Sequence, residues 1–455
     1  MTRRDALQMM GAGFGMVGLT NVLAAGHSPL EVKQPHFPAK AKRVIFLFLN
    51  GGMSQVDTFD PKPMLIKHDG EPMPGPKIKT DRASGNLMRS PFEFKRRGQS
   101  GIEVSDIFPQ VGARIDDICV IRSMYSDNGN HGPSLMLMNT GHGRPGRPAL
   151  GSWLTYGLGS ENQNLPGFIV LCPGFPVLGP QLWDSAFLPS VYQGAYIASG
   201  EKEPAKLLQN IRNNRLSSAE QERQVALVNK LNRSYLNRLG PQPQLEAGIA
   251  AMEVAFRMQT EAPEVFDLGK ESAATRARYG DHDFGRGCLM ALRMAERGVR
   301  VTQVYFGNNQ PWDNHDDIRT HAKLARVSDA PIAALIDDLK ARGMFNDTLL
   351  IVGSEFGRTP MIQNSGLEKI YNGRDHNVHG YTTLLAGGGV KGGITYGATD
   401  DFGFKSVEKP VHVHDLHATI LHLMGFDHTR LTYRYSGRDF RLTDVQGNVI
   451  RDILS

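Results

Sequence analysis

Residues Arg43 to Leu49, Arg-Val-Ile-Phe-Leu-Phe-Leu, form a near-continuous apolar run that stops at Asn50-Gly51-Gly52. A strand wetted on one face alternates polar and apolar residues. A strand without that alternation must be covered on both faces, as a central parallel strand between helices is. This stretch commits the chain to a layered fold with a thick core. At 455 residues the chain can bury one, since large α/β folds reach this length as one domain.

The same signal recurs at Ile118–Ile121, Gly167–Leu171, Val299–Phe306, Thr348–Val352 and Tyr381–Ala386. Helical stretches fall between these runs, near 111–115 and 331–342, and the segments 201–240 and 245–297 also read as helical. Alternating strands and helices predict an α/β fold with a doubly wound, mainly parallel sheet. The stretch at about 200–297 is expected as a helical insertion over it, and residues 429–455 as short edge structure.

The ends of the chain and its composition narrow the setting. Thr2-Arg3-Arg4-Asp5-Ala6-Leu7 heads a Gly- and Met-rich apolar run from Met9 to Leu23, and small residues follow at Ala24-Ala25-Gly26. A run this short, broken by four glycines, reads as a twin-arginine signal peptide over residues 1–26, not as a membrane span. Ala6 departs from the large apolar residue usual after Asp5. The expected location is periplasmic or secreted, with the twin-arginine export machinery as a partner and no transmembrane anchor after cleavage. A Pro- and Lys-rich linker covers 27–42, and one domain covers 43–455. The net charge of +5 is scattered, without the dense basic face and interleaved aromatics of a nucleic-acid binder. Cys119, Cys172 and Cys288 are too few and too far apart for a disulfide framework, and read as core residues.

In open parallel sheets the reactive loops follow the carboxyl ends of the strands. Polar residues concentrate there in four places: Asn50 to Pro63, Ser126 to Ser134, Trp312 to Asp317, and Gly353 to Pro360 together with Gly373 to Gly380. Carboxylates, amide oxygens and imidazoles arriving from separate strands are what a divalent cation requires. Asp313 and His315 share one short loop. Asp317 and His321 have helical i,i+4 spacing, which charged helix faces also carry without function. His376 and His379 precede the last strand, and His376, beside Asp375, is the preferred ligand of the two. His412, His414, His417 and His422 surround a strand-to-helix junction and read as structural, with Asp415 as the helix N-cap.

The spacing His131-Gly-Pro133-Ser134-Leu135 to Thr140-Gly141 resembles the sulfatase signature Cys-x-Pro-Ser-Arg-x-x-x-x-Thr-Gly. Val413 to Gly425 is similar to a late sulfatase segment, and Leu349 to Gly357 to the strand that ends in Ser-Asp-Asn-Gly in sulfatases. The chain resembles more closely a bacterial family of exported, sulfatase-like proteins in the alkaline phosphatase and sulfatase superfamily. Its hallmarks stand here as Asn50-Gly-Gly-Met-Ser-Gln-Val-Asp, Trp312-Asp-Asn-His, Glu355-Phe-Gly-Arg-Thr-Pro, Gly373-Arg-Asp-His and Ala386-Gly-Gly-Gly-Val-Lys-Gly-Gly393. The likeness runs from about Pro35 to Ile453.

The resemblance implies an alkaline phosphatase/sulfatase-like fold and an ester hydrolase, but several positions depart from the pattern. His131 replaces the cysteine that sulfatases oxidise to formylglycine, Leu135 replaces an arginine, and Asn50 replaces an aspartate. Glu355-Phe356 stands where a ligand pair is usual, and Phe356 cannot ligate. A formylglycine mechanism is excluded on these residues. The expected metal ligands for calcium or zinc are Asn50, Asp313, His315, Glu355 and His376. His131 and Ser54 are the alternative catalytic residues, as nucleophile or general base. Arg358 and Lys391 are expected to bind the substrate oxyanion. The reading is an exported metal-dependent hydrolase of sulfate or phosphate esters, acting on a small molecule or polysaccharide. The alternatives are a non-catalytic protein for sulfated-glycan binding or surface assembly, and phosphomutase or phosphodiesterase chemistry.

Overall fold

The Arg43–Phe48 strand occupies the interior position its composition demands, with every residue after Arg43 buried. The structure is a computed structural model that describes residues 29–75, 80–203, 207, 217–239, 242–364 and 370–455. The signal peptide expected over 1–26 lies outside the described residues.

Arg43–Phe48 pairs in parallel with Val301–Tyr305 on one side and Thr348–Gly353 on the other. The sheet runs in the order Ile394–Tyr396, Ile118–Tyr125, Tyr381–Ala386, Thr348–Gly353, Arg43–Phe48, Val301–Tyr305, Phe168–Cys172, Ala195–Ala198, with Val411–His412 also pairing with Ile118–Tyr125. All these strands point the same way except Tyr381–Ala386, which is antiparallel to both its neighbours.

Helices cover both faces, as a fully apolar sheet requires. Gly151, in the Leu150–Leu158 helix, packs against the Phe168 ring. Gly287, in the Asp283–Glu296 helix, packs against Val304. Phe168 is the register partner of Val301, so Val304, three residues further along a pleated strand, faces the opposite side. The Asp283–Glu296 helix is buried along most of its length. It is a core layer, although it falls within the segment expected as an insertion. The Ser218–Leu239 and Pro243–Phe266 helices precede it.

Two features carry the site. Most strands end at one edge of the sheet, and there a small antiparallel sheet of Ser84–Leu87, Gly357–Asn364 and Ile370–Asn377 places Arg358 opposite His376. The three cysteines are buried and free. The expected N-cap is corrected by one turn: His412 caps the Val413–Leu423 helix, and Asp415 completes a capping box at its third position. Residues 433–440 form a short hairpin near the C-terminus. Among the described residues, no helix is long and apolar enough to cross a membrane.

Candidate metal centre

Three strand-end loops and the small sheet deliver the polar residues. The first loop turns at Gly51, whose φ of +120° suits glycine and whose added Cβ would stand 2.6 Å from the Asp313 nitrogen. Only a residue without a side chain lets the Trp312–Asp313 turn lie this close. The loop after Ile118–Tyr125 ends in the His131–Thr140 helix, with His131 as its first residue. The Val301–Tyr305 strand leads to Asp313 and His315, and Ile370–Asn377 supplies His376.

These side chains meet at one carboxylate oxygen. Asp313 Oδ1 lies 3.3 Å from His131 Nε2, 2.8 Å from His315 Nε2 and 3.1 Å from His376 Nε2. The Arg358 guanidinium donates to the same oxygen at 2.6 Å. His315 Nε2 and His376 Nε2 are themselves 3.0 Å apart. Ligating atoms of His131, Asp313 and His376 all lie within 4.8 Å of one another. The imidazoles are largely buried, and Asp313, with its side chain 22% exposed, is the open side of the cluster.

The other ring nitrogens decide where the protons are. His131 Nδ1 lies 2.8 Å from the Glu355 carboxylate, His376 Nδ1 lies 2.7 Å from the Gly129 carbonyl, and His315 Nδ1 contacts the Gln363 side-chain oxygen. Each of these partners only accepts, so each Nδ1 carries a proton. In the neutral tautomers the three Nε2 atoms are therefore lone pairs directed at a carboxylate oxygen. The Asp313 oxygen accepts from Arg358, but the three Nε2 lone pairs cannot satisfy one another, and a cation satisfies them together with the carboxylate. His131 Nε2 is consistent with this, being buried without an aligned hydrogen-bond partner. Imidazoles held through Nδ1 by an acceptor are the usual supporting shell of a metal site.

The electrostatics fit. Burial opposes charge on His131, but hydrogen bonds and charges from Asp313 and Glu355 hold its pKa above the ordinary imidazole value. Burial also works against the Asp313 carboxylate, yet contacts with the three imidazoles and the Arg358 charge hold its pKa far below the usual range. His376 is pushed down to about 4, chiefly by burial, with Asp313 opposing and Arg358 adding to the fall. A proton on His131 Nε2 and a cation at that position are thus alternatives.

The remaining expected site residues stand elsewhere. Glu355 is wholly buried and holds the Gly51 nitrogen at 3.0 Å and the Ser354 hydroxyl at 2.8 Å, besides His131. It orients His131 and does not join the cluster. Asn50 bridges loops instead, donating to the carbonyls of Gly307 at 3.0 Å and Asn309 at 2.5 Å. The buried Ser54 hydroxyl donates to Asp57, which pairs with Arg374 at 2.7 Å. An anchored hydroxyl beside a paired carboxylate has no base to activate it. Arg358 is fully buried, and its guanidinium donates to the carbonyls of Gly51, Gly52 and Arg374 as well as to Asp313. That set ties Asp313 to the Gly51–Gly52 turn and draws Arg358 away from any oxyanion.

Lys391 lies at the far edge of the sheet. It follows Tyr381–Ala386, whose reversed direction places Ala386 beside Leu350 near the start of the neighbouring strand. Its side chain donates to the Asp452 carbonyl at 2.9 Å. Asp317 pairs with Arg319, whereas the buried His321 holds Asn314 and accepts from the Ser54 nitrogen. They do not form a pair. His379 packs against Phe404, away from the cluster.

Several contributors gave no clear sign in the sequence. Gln363 and the Gly129 carbonyl act through a tautomer, which no spacing pattern encodes. Phe356, which cannot ligate, packs its ring 4.8 Å from His131 and 4.5 Å from His376, walling the cluster from the interior. Arg374 belongs to a Gly-Arg-Asp-His motif, but its partner Asp57 lies more than three hundred residues away in sequence.

No curated protein matches the chain by sequence. Among solved structures it is similar to the lipoteichoic acid synthase LtaP from Listeria monocytogenes, at 9% identity and a TM-score of 0.34 over 91% of this chain and 78% of that one. It is similar to the phosphonate monoester hydrolase SpPMH from Silicibacter pomeroyi, at 14% identity and a TM-score of 0.36 over 76% and 71% of the two chains. A third is the PsFucS1 sulfatase from Pseudoalteromonas sp., at 12% identity and a TM-score of 0.34 over 85% and 68%. The family model described as protein of unknown function (DUF1501) matches residues 41–454, and the chain belongs to that family.

Proposed function

We propose that the protein is an exported, metal-dependent hydrolase of sulfate or phosphate esters that works without formylglycine. The observation that carries this reading is the convergence of three Nε2 atoms and the Asp313 carboxylate, each imidazole held through Nδ1 by a separate acceptor. His131, Asp313, His315 and His376 would hold the cation. Three imidazoles and one carboxylate suit zinc or a similar transition metal. Calcium, which takes six to eight oxygen ligands, is disfavoured. Such a cation, when bound, polarises ester oxygens and makes water a stronger nucleophile.

The chain's own residues have supporting tasks in this scheme. Glu355 keeps the His131 lone pair directed at the centre, Arg358 fixes Asp313, and Phe356 excludes water from the interior side. His131 is assigned as a ligand, since its one nitrogen free to attack faces Asp313. The sequence likeness to sulfatases supports the ester class, and the Arg3-Arg4 start supports export to the periplasm or beyond. Small-molecule and polysaccharide esters both remain in the substrate class.

Zinc and calcium titrations of the purified protein, with turnover of p-nitrophenyl sulfate and p-nitrophenyl phosphate, test the proposal. Stoichiometric zinc binding and turnover should both be lost in Asp313→Ala and His376→Ala. A folded protein that binds no transition metal would refute the metal assignment. One that binds zinc but turns over neither ester class would refute the hydrolase.

A further inference from the structure

Beside the His131 end of the cluster the chain raises an apolar lip. Phe175 is 50% exposed and Leu178 is 36% exposed. Both lie in the loop after Phe168–Cys172, at the sheet edge that carries the cluster. The Phe175 ring is fixed in place. It stacks on Tyr196 at 4.8 Å and 29° and on Trp183 at 6.3 Å and 22°, while Trp183 and Tyr196 stack on each other at 5.8 Å and 8°.

The lip is tied to the centre on two sides. The Asn309 nitrogen donates to the Phe175 carbonyl at 2.9 Å, and Pro176 bridges to Asn309. Asn50 anchors that same Asn309 from the end of the first strand, and the Asp313 nitrogen closes the loop onto the Gln310 carbonyl at 3.0 Å. On the other side, a Cβ added to Gly132, next to His131, would lie 3.8 Å from Leu178. Leu178 at φ 71° and Asn309 at φ 56° both adopt left-handed backbone. Leucine accepts that conformation only where surrounding structure imposes it, and such positions cluster at binding sites.

Exposed amides border the lip: Asn309 is bonded to Phe175, and the Asn308 side chain lies 2.7 Å from where a Cβ added to Gly174, next to Phe175, would stand. A flat apolar face edged by uncharged amides suits a ring with C–H groups on its face and hydroxyls at its edge. An aryl ring would leave the amides unused.

We propose that Phe175, with Leu178, forms the subsite for the ring that carries the ester, and that this ring is a pyranose. This rests on the ester-hydrolase reading and names its substrate class. The stacked ring is already ordered, so binding loses little side-chain entropy there.

The test is equilibrium binding followed by intrinsic tryptophan fluorescence, on the zinc-loaded full chain. Glucose 6-sulfate and glucose 6-phosphate are the sugar probes, and methyl sulfate and phenyl sulfate the controls. Phe175→Ala should weaken the preferred sugar ester about tenfold, the scale of one lost aromatic contact. Phe175→Trp should restore it, and methyl sulfate and zinc affinities should not change. The subsite is overturned if Phe175→Ala leaves sugar-ester affinity intact, if no sugar ester binds, or if phenyl sulfate binds as tightly and loses as much. Binding needs no turnover. A protein that grips the sugar ester through Phe175 and never cleaves it would overturn the hydrolase and leave the subsite.

Discussion

Glu355→Gln separates an orienting carboxylate from a ligating one. The Glu355 oxygens accept from the Gly51 nitrogen at 3.0 and 3.1 Å, from the Ser354 hydroxyl at 2.8 Å and from His131 Nδ1 at 2.8 Å. Glutamine keeps one oxygen for both His131 and the Gly51 nitrogen, but puts an NH2 group where the other oxygen accepted from the Ser354 hydroxyl and made its second contact with Gly51. One unmet buried donor costs about 1–3 kcal/mol of stability. Loss of the charge behind His131 makes its Nε2 a poorer donor, and removing such a partner weakens metal binding by about 10- to 100-fold. That corresponds to about 1.4–2.7 kcal/mol of binding free energy.

Calorimetric zinc titration against a competing chelator measures this directly. Asp313→Ala and His376→Ala, each lacking a ligand, should lose stoichiometric binding altogether. Wild-type affinity in Glu355→Gln would refute the supporting role of the carboxylate charge behind His131. A loss as complete as that of Asp313→Ala would make Glu355 a ligand after all.

Asp57→Asn, which leaves the buried Arg374 guanidinium unpaired, should cost about 3–5 kcal/mol in denaturant melts at neutral pH. Burial raises the Asp57 pKa, but Arg374 and the Ser54 hydroxyl outweigh it and leave the value depressed. Its contribution is therefore present above the unfolded carboxylate pKa of about 3.9 and lost as pH falls through the lower folded value. The wild-type advantage over Asp57→Asn should shrink in that acid range. Ser54→Ala should cost about 1 kcal/mol of stability and keep kcat within a few-fold, whereas His131→Ala abolishes turnover. Lys391→Ala should leave KM for anionic esters unchanged in steady-state assays, because Lys391 sits at the opposite sheet edge.

The strands were legible because burial on both faces leaves few polar residues, and Arg43–Phe48 and Phe168–Cys172 carry that pattern plainly. The residues of the cluster were legible as polar groups at strand ends, although His379, Asp317 and His321 give the same signal and stand apart from it. Their division of labour was not. Whether Glu355 meets a cation or a histidine depends on ångström placement, and whether Ser54 is free depends on Asp57 and hence on distant Arg374. Arg358 illustrates the same limit. An arginine in a polar motif suggests an anion, but once fully buried its donors go to the nearest carbonyls.

Strand direction was the largest hidden variable, and it explains both a gain and a loss. An apolar run reads the same whether its strand runs up or down the sheet. Tyr381–Ala386 runs against its neighbours, so its start lies beside the ends of the parallel strands and its end beside their starts. His376, just before that start, therefore reaches the centre. Lys391, just after that end, is removed from it by the length of the strand, about 20 Å for six residues. A parallel strand here would have exchanged the two, taking a histidine out of the cluster and bringing a lysine toward it. Among the described strands, the single reversal in an otherwise parallel sheet is what lets three histidines converge in this chain.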